Sequence, residues 1–115
     1  MTQSINLNII LTIVILHFIS DFLFQNDKMA LNKSKSWKWL GIHSVVYTVL
    51  FIFINPLYAL INGICHFIID AITSRITSYL WQKEERHWFF VVIGFDQMLH
   101  MSTLFLTLIL LKEYI

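Results

Sequence analysis

His66-Phe67-Ile68-Ile69-Asp70 lies in the middle of a long apolar run between Leu57 and Leu80. In a helix, residues four apart stand one above the other on one face, so this imidazole and carboxylate meet. The pattern recurs on either side. His17 and Asp21 hold the same spacing in the first apolar run, and Asp96 and His100 hold it reversed in the last. His43 adds a single imidazole to the second run. Four histidines and three aspartates therefore sit in segments made mainly of Ile, Leu, Val and Phe.

Each pair extends into a polar stripe at helical spacing. His17, Asp21, Gln25 and Lys28 form one, Asn62, His66, Asp70 and Ser74 a second, and Asp96, His100, Thr103 and Thr107 a third. A helix of this kind is apolar around most of its surface and polar along one narrow seam. The whole chain is 115 residues, 57% hydrophobic and 13% charged, with a mean hydropathy of +0.69. That balance excludes both an ordinary soluble domain and a disordered segment. Apolar runs at about 5–24, 37–55, 57–80 and 88–111 each approach the roughly 20 residues a bilayer crossing needs. The expected fold is all-α: one transmembrane domain over residues 1–115, an integral membrane four-helix bundle with a polar, metal-type site in its interior.

The connections supply the orientation. Asn55-Pro56 is a turn signal, because proline disfavours helix in the residue before it. Trp37, Trp39, Tyr79, Trp81 and Trp88 lie at the ends of runs, where amphipathic rings prefer a membrane interface. Lys28, Lys33, Lys35 and Lys38 mark the first connection, and Lys83 and Arg86 the third, with Arg75 nearby. The positive-inside bias then puts both basic loops in the cytoplasm and both termini outside. The first run has no basic stretch before it and no small-residue cleavage site, so it reads as a retained span. Cys65, the one cysteine, forms no internal disulfide and reads as packing; His87 reads as a solvated loop residue.

Burying the aspartates argues for a shared centre. An aspartate at the middle of a membrane helix costs about 2.5–3.5 kcal/mol, so three cost roughly 10 kcal/mol if nothing offsets them. Neutral imidazoles and carboxylates are the ligand set for zinc and related divalent ions. The expected ligands are His17, Asp21, His43, His66, Asp70, Asp96 and His100, holding one or two ions, with zinc the leading candidate. Two divalent ions, three aspartates and one hydroxide sum to zero charge. A hydroxide on such ions is a nucleophile near neutral pH. Asp21, Asp70 and Asp96 are the expected catalytic carboxylates; Gln25, Lys28, Lys33 and Arg75 are candidates for binding an anionic substrate.

The pattern His17-x-x-x-Asp21-Phe22-x-x-Gln25, a lysine-rich loop, His43, His66-x-x-x-Asp70 and Asp96-Gln97-x-x-His100 resembles an uncharacterised family of small bacterial and phage inner-membrane proteins. It is also similar to the LexA-regulated inner-membrane metal-dependent hydrolases and, remotely, to zinc-dependent phospholipase C. That resemblance implies a bacterial inner membrane and phosphoester hydrolysis. The chain lacks the N-terminal tryptophan ligand and some histidines of the soluble phospholipases, which leaves the number of ions open.

The leading functional expectation is a membrane-embedded metal-dependent hydrolase acting on a phosphoester such as a lipid headgroup or nucleotide. Membrane lipid, a phosphate-containing substrate and a second copy of the chain are the expected partners; duplex nucleic acid is not. Two other classes remain open at this point. One is an oligomeric transporter or channel component that moves protons or metal ions through the same groups. The other is a non-catalytic phage or host membrane modulator.

Overall fold

The computed structural model describes residues 6–23 and 35–115. Among them the chain forms four helices: α1 (Leu7–Phe18), α2 (Trp37–Phe51), α3 (Pro56–Gln82) and α4 (Arg86–Leu111). A π-helical turn, Ile19–Leu23, continues α1, and a 3-10 turn, Lys112–Tyr114, continues α4. No strand occurs among the described residues.

Local signals set the boundaries. Asn6 caps α1, its side chain accepting from the Ile9 amide at 3.0 Å. Asn55 caps α3 in the same way, accepting from Tyr58 N at 3.0 Å, with Pro56 at the first helical position where its missing N–H costs nothing. Asn55 also donates through Nδ2 to the Tyr114 carbonyl at 2.8 Å, which ties the start of α3 to the end of α4. The other end of α3 closes on a left-handed residue. Glu84 has φ 59°, with Glu85 N donating to Leu80 O at 3.0 Å and Glu84 N to Trp81 O at 3.1 Å. That hydrogen-bond pair is the Schellman arrangement, here with glutamate where glycine is usual.

One helix ends before its apolar run does. The second helix stops at Phe51, not Asn55, because residues 52–54 turn to bring Phe51 onto Tyr58, ring centroids 6.2 Å apart. At 15 residues α2 is about 22 Å long, short of a full bilayer crossing. Within the described residues the first apolar helix covers Leu7–Leu23. Two helices, Pro56–Gln82 and Arg86–Tyr114, are long and apolar enough to cross a membrane.

Helix α3 packs between α2 and α4, and α1 with its π turn lies against α2. The α2–α3 approach is close. A Cβ built on Gly63 would fall 1.9 Å from Thr48 Oγ1, so only glycine fits there. The interior has two halves. Toward the Asn55 end, Ile13, Tyr47, Phe51, Tyr58, Ala59, Leu104 and Leu108 form an apolar cluster. Tyr58 satisfies its hydroxyl there by donating to Leu104 O at 2.7 Å, and Asn62 Nδ2 donates to Thr107 Oγ1 at 2.8 Å. Toward the other end the interior is polar.

Candidate metal centre

The polar half contains all seven of the expected histidines and aspartates. Six are at most 6% exposed, and Asp96, the most open, is 9% exposed. The spacing argument is met on α3 and α4. His66 Nε2 lies 3.3 Å from Asp70 Oδ2, and His100 Nε2 lies 3.2 Å from Asp96 Oδ1. On the first helix Asp21 belongs to the π turn, and His17 Nε2 is 3.9 Å from its Oδ2. A π turn hydrogen-bonds over five residues instead of four, so it re-aims the side chains it carries. Here it directs Asp21 toward α2: Asp21 Oδ1 accepts from His43 Nε2 at 2.9 Å.

Asp21, His43, His66 and Asp70 each offer one ligand atom, and all four atoms lie within 4.8 Å of one another. The contacts among them are 2.9 Å (Asp21–His43), 3.3 Å (His43–Asp70), 3.3 Å (His66–Asp70) and 3.8 Å (Asp21–His66). A tetrahedral zinc with bonds of about 2.0–2.1 Å has donor–donor edges of about 3.3–3.4 Å, which these distances bracket. The orientation of His66 supports the same reading. Its ring is 1% exposed, with Nε2 facing Asp70 Oδ2 at 3.3 Å and Asp21 Oδ1 at 3.8 Å, while Nδ1 makes no hydrogen bond among the described residues. A cation held between Nε2 and these two carboxylate oxygens would have an imidazole and two carboxylates as ligands.

Stacking holds that ring on both faces. Tyr47 lies on one side of His66, centroids 4.0 Å apart and planes 14° apart, and His100 on the other at 4.2 Å. The Tyr47 hydroxyl is 3.3 Å from His17 Nδ1, while His17 Nε2 lies 2.7 Å from Gln97 Oε1. His17 thus sits at the margin, its nitrogens turned to Tyr47 and Gln97. Gln97 completes the arrangement: its Nε2 donates to Asp21 Oδ2 at 2.8 Å and to Asp96 Oδ2 at 3.2 Å. Thr73 donates to Asp96 Oδ1.

Tyr47 and Thr73 are absent from the residues expected from sequence, whereas Gln97, the neighbour of Asp96, is in sequence a candidate hydrogen-bond donor to the pairs and donates here to Asp21 and Asp96. Tyr47 follows His43 by four residues, so the stacking signal was present in the spacing. Of the expected substrate-binding residues, Gln25, Lys28 and Lys33 lie outside the described residues. Arg75 is described: it donates through Nη1 to Ala71 O at 2.7 Å and lays its guanidinium over the Trp37 ring at 4.3 Å.

Among the described residues every lysine and arginine except Lys112 marks one end of the bundle. Lys35 and Lys38 flank the start of α2, Arg75 and Lys83 the end of α3, and Arg86 begins α4. His43 is six residues into α2, about 9 Å from that end, and Asp96 is ten residues into α4, about 15 Å.

Residues 9–114 match the family described as "Protein of unknown function (DUF3307)". No curated protein and no solved structure matches the chain.

Proposed function

The chain belongs to that family, and we propose that it is a membrane-embedded metal-dependent hydrolase whose substrate is a phosphoester at the membrane surface. The membrane assignment is supported by the distribution of side chains. Among the described residues twelve polar or charged side chains are buried against eight hydrophobic ones, while 29 large hydrophobic side chains are exposed. In water that surface would be an extended aggregation hazard; in hydrocarbon it is what solvation requires. On this reading α3 and α4 cross the bilayer of a bacterial inner membrane, with α1 and the 15-residue α2 packed beside them. The basic end faces the cytoplasm and both termini lie outside.

One observation carries the metal assignment: the buried donors Asp21, His43, His66 and Asp70 each bring a ligand atom to within 4.8 Å of the others. A divalent ion bound by them would polarise a phosphoryl oxygen and acidify a water at neutral pH. The protein's own groups do the rest. Asp21 and Asp70 offset the positive charge, and His43 and His66 fix its position. Asp96, the most open carboxylate, is held by Thr73 and Gln97 where it can accept a proton from the attacking water. Arg75, stacked on Trp37 near the basic end, gives an anionic headgroup a counter-charge at the interface. A lipid headgroup is the favoured substrate because it already resides at that depth, with a nucleotide next.

Ion or proton translocation is the second reading. It is favoured by the polar contacts that continue past the cluster, from Asn62 to Thr107. The test begins with elemental analysis of detergent-purified protein, then phosphate or headgroup release from phospholipid vesicles before and after chelation. Hydrolysis that is lost on chelation and returns with zinc supports the proposal. A folded protein without any divalent metal overturns it, and metal flux into liposomes without hydrolysis transfers the assignment to the second reading.

A further inference from the structure

We propose that a second divalent ion binds beside the first, between Asp96, His100 and the outer oxygens of Asp21 and Asp70, so that these two aspartates bridge the pair. The inference rests on the first site and extends it. Its ground is how the two buried carboxylates divide their oxygens. Asp21 turns Oδ1 to His43 and His66, at 2.9 and 3.8 Å, and turns Oδ2 toward Gln97 and His17, at 2.8 and 3.9 Å. Asp70 turns Oδ2 to His43 and His66, both at 3.3 Å, and turns Oδ1 to His100 at 3.2 Å. Asp70 therefore presents one oxygen to each of two donor sets, and Asp21 turns its outer oxygen to Gln97 Nε2, which it shares with Asp96.

The outer set is complete enough to hold an ion. Asp21, Asp96 and His100 each bring a ligand atom to within 4.8 Å of the others. His100 Nε2 stands 3.2 Å from Asp70 Oδ1 and 3.2 Å from Asp96 Oδ1, again close to the edge length of a zinc tetrahedron. Two carboxylates that bridge in this way suit ions about 3.5–4 Å apart, the spacing of two-metal hydrolytic sites. Charge points the same way. One divalent ion leaves three aspartates with a net charge of −1 in a low-dielectric interior. A second ion with a hydroxide brings the centre to zero, and the uncompensated charge is the costly state. Gln97 Nε2, donating to both Asp21 Oδ2 and Asp96 Oδ2, holds these two oxygens on one side of the centre.

Two measurements on the full chain in detergent test this. The first is the metal-to-protein ratio by elemental analysis after zinc loading, for the wild type, His100→Ala and Asp96→Asn. The proposal expects about two ions in the wild type and about one in each variant. The second uses the wild type alone, loaded with Mn(II), where electron paramagnetic resonance reports exchange coupling between neighbouring ions. A coupled spectrum at full loading supports the pair whether or not the variants fold. A wild type that saturates at one ion, with the spectrum of isolated Mn(II), overturns the second site and leaves the first standing. No bound metal overturns both.

Discussion

Gly63 provides the sharpest test of how the helices hold the centre. Alanine there places a Cβ 1.9 Å from Thr48 Oγ1, about 1.5 Å short of ordinary contact, which begins at 3.4 Å. Thr48 can rotate its hydroxyl away only by giving up its 2.8 Å bond to Ser44 O, worth about 0.5–1.5 kcal/mol. Its own Cβ would still stand 3.0 Å from the new methyl. The α2–α3 distance must therefore open, at a typical overpacking cost of about 1–3 kcal/mol. Higher helix propensity returns at most about 1 kcal/mol. Gly41→Ala on α2 is the control, because its Cβ meets nothing within 4 Å among the described residues. That substitution keeps the propensity gain without the clash. The expected result in detergent unfolding is a loss of stability for Gly63→Ala, none for Gly41→Ala, and partial recovery in Gly63→Ala with Thr48→Ala. Metal affinity follows. His66 lies one turn from Gly63, and a site needing distances within about 0.2 Å does not survive a helix displacement approaching 1 Å. Gly63→Ala should bind zinc about ten- to a hundredfold more weakly. Matching unfolding curves and zinc affinities for the two alanine variants would refute the close-packed account.

Removing metal with a chelator should lower the unfolding midpoint, and zinc should restore it, since the buried aspartates lose their counter-charge, a loss of about 3–5 kcal/mol; an unchanged midpoint after verified metal removal contradicts the charge argument. Tyr47→Phe keeps the ring on His66 and should bind zinc as the wild type does, whereas Tyr47→Leu should bind it about tenfold more weakly. Equal affinity in all three proteins would mean that stacking does not position His66. Glu84→Gly relieves a left-handed residue worth about 1–2 kcal/mol of strain, less the entropy glycine adds to the unfolded chain. A gain of about 0.5–1 kcal/mol in unfolding free energy is expected, and a loss would show that the Glu84 side chain makes a compensating contact.

The helical bundle was readable because its polar residues are few and regularly spaced. His66 and Asp70 stand four apart in a run with little else polar, and the same holds for Asp96 and His100, so convergence was the cheapest arrangement. The margins were harder to read. Ile19-Ser20-Asp21-Phe22-Leu23 carries no signal for a π turn, yet that turn points Asp21 at His43 and leaves His17 facing Tyr47 and Gln97. The end of α2 was hidden because Phe51-Ile52-Phe53-Ile54 suits a helix as well as a turn; contact with Tyr58 decides it. Gln97 lies off the stripe traced by Asp96 and His100, but α4 faces both α1 and α3, so residues on its flank also reach the centre. Tyr47 was masked by composition: in a chain that is 16% aromatic, one more ring at helical spacing looks like bulk.

Energetic scale links the site to the fold. In the proposed membrane setting, three buried aspartates would cost roughly 10 kcal/mol on insertion scales. The apolar cluster around Phe51 and Tyr58 is small and lies at the other end of the molecule, so it does not shield them. Hydrogen bonds from Thr73, Gln97 and His43 reduce that cost by about 1.5–3 kcal/mol each at best, being bonds to charged groups, and each also immobilises a side chain. Binding of a structural zinc releases about 10–16 kcal/mol, enough to meet the whole penalty. On the proposed reading the centre and the bundle depend on each other: the helices bring the donors together, and a bound ion would offset the cost of burying them. Folding and metal retention should be lost together as Asp21, Asp70 and Asp96 are replaced, and His43→Ala or His66→Ala, which remove a ligand while leaving the acidic charge, should destabilise the bundle more than Asp96→Asn.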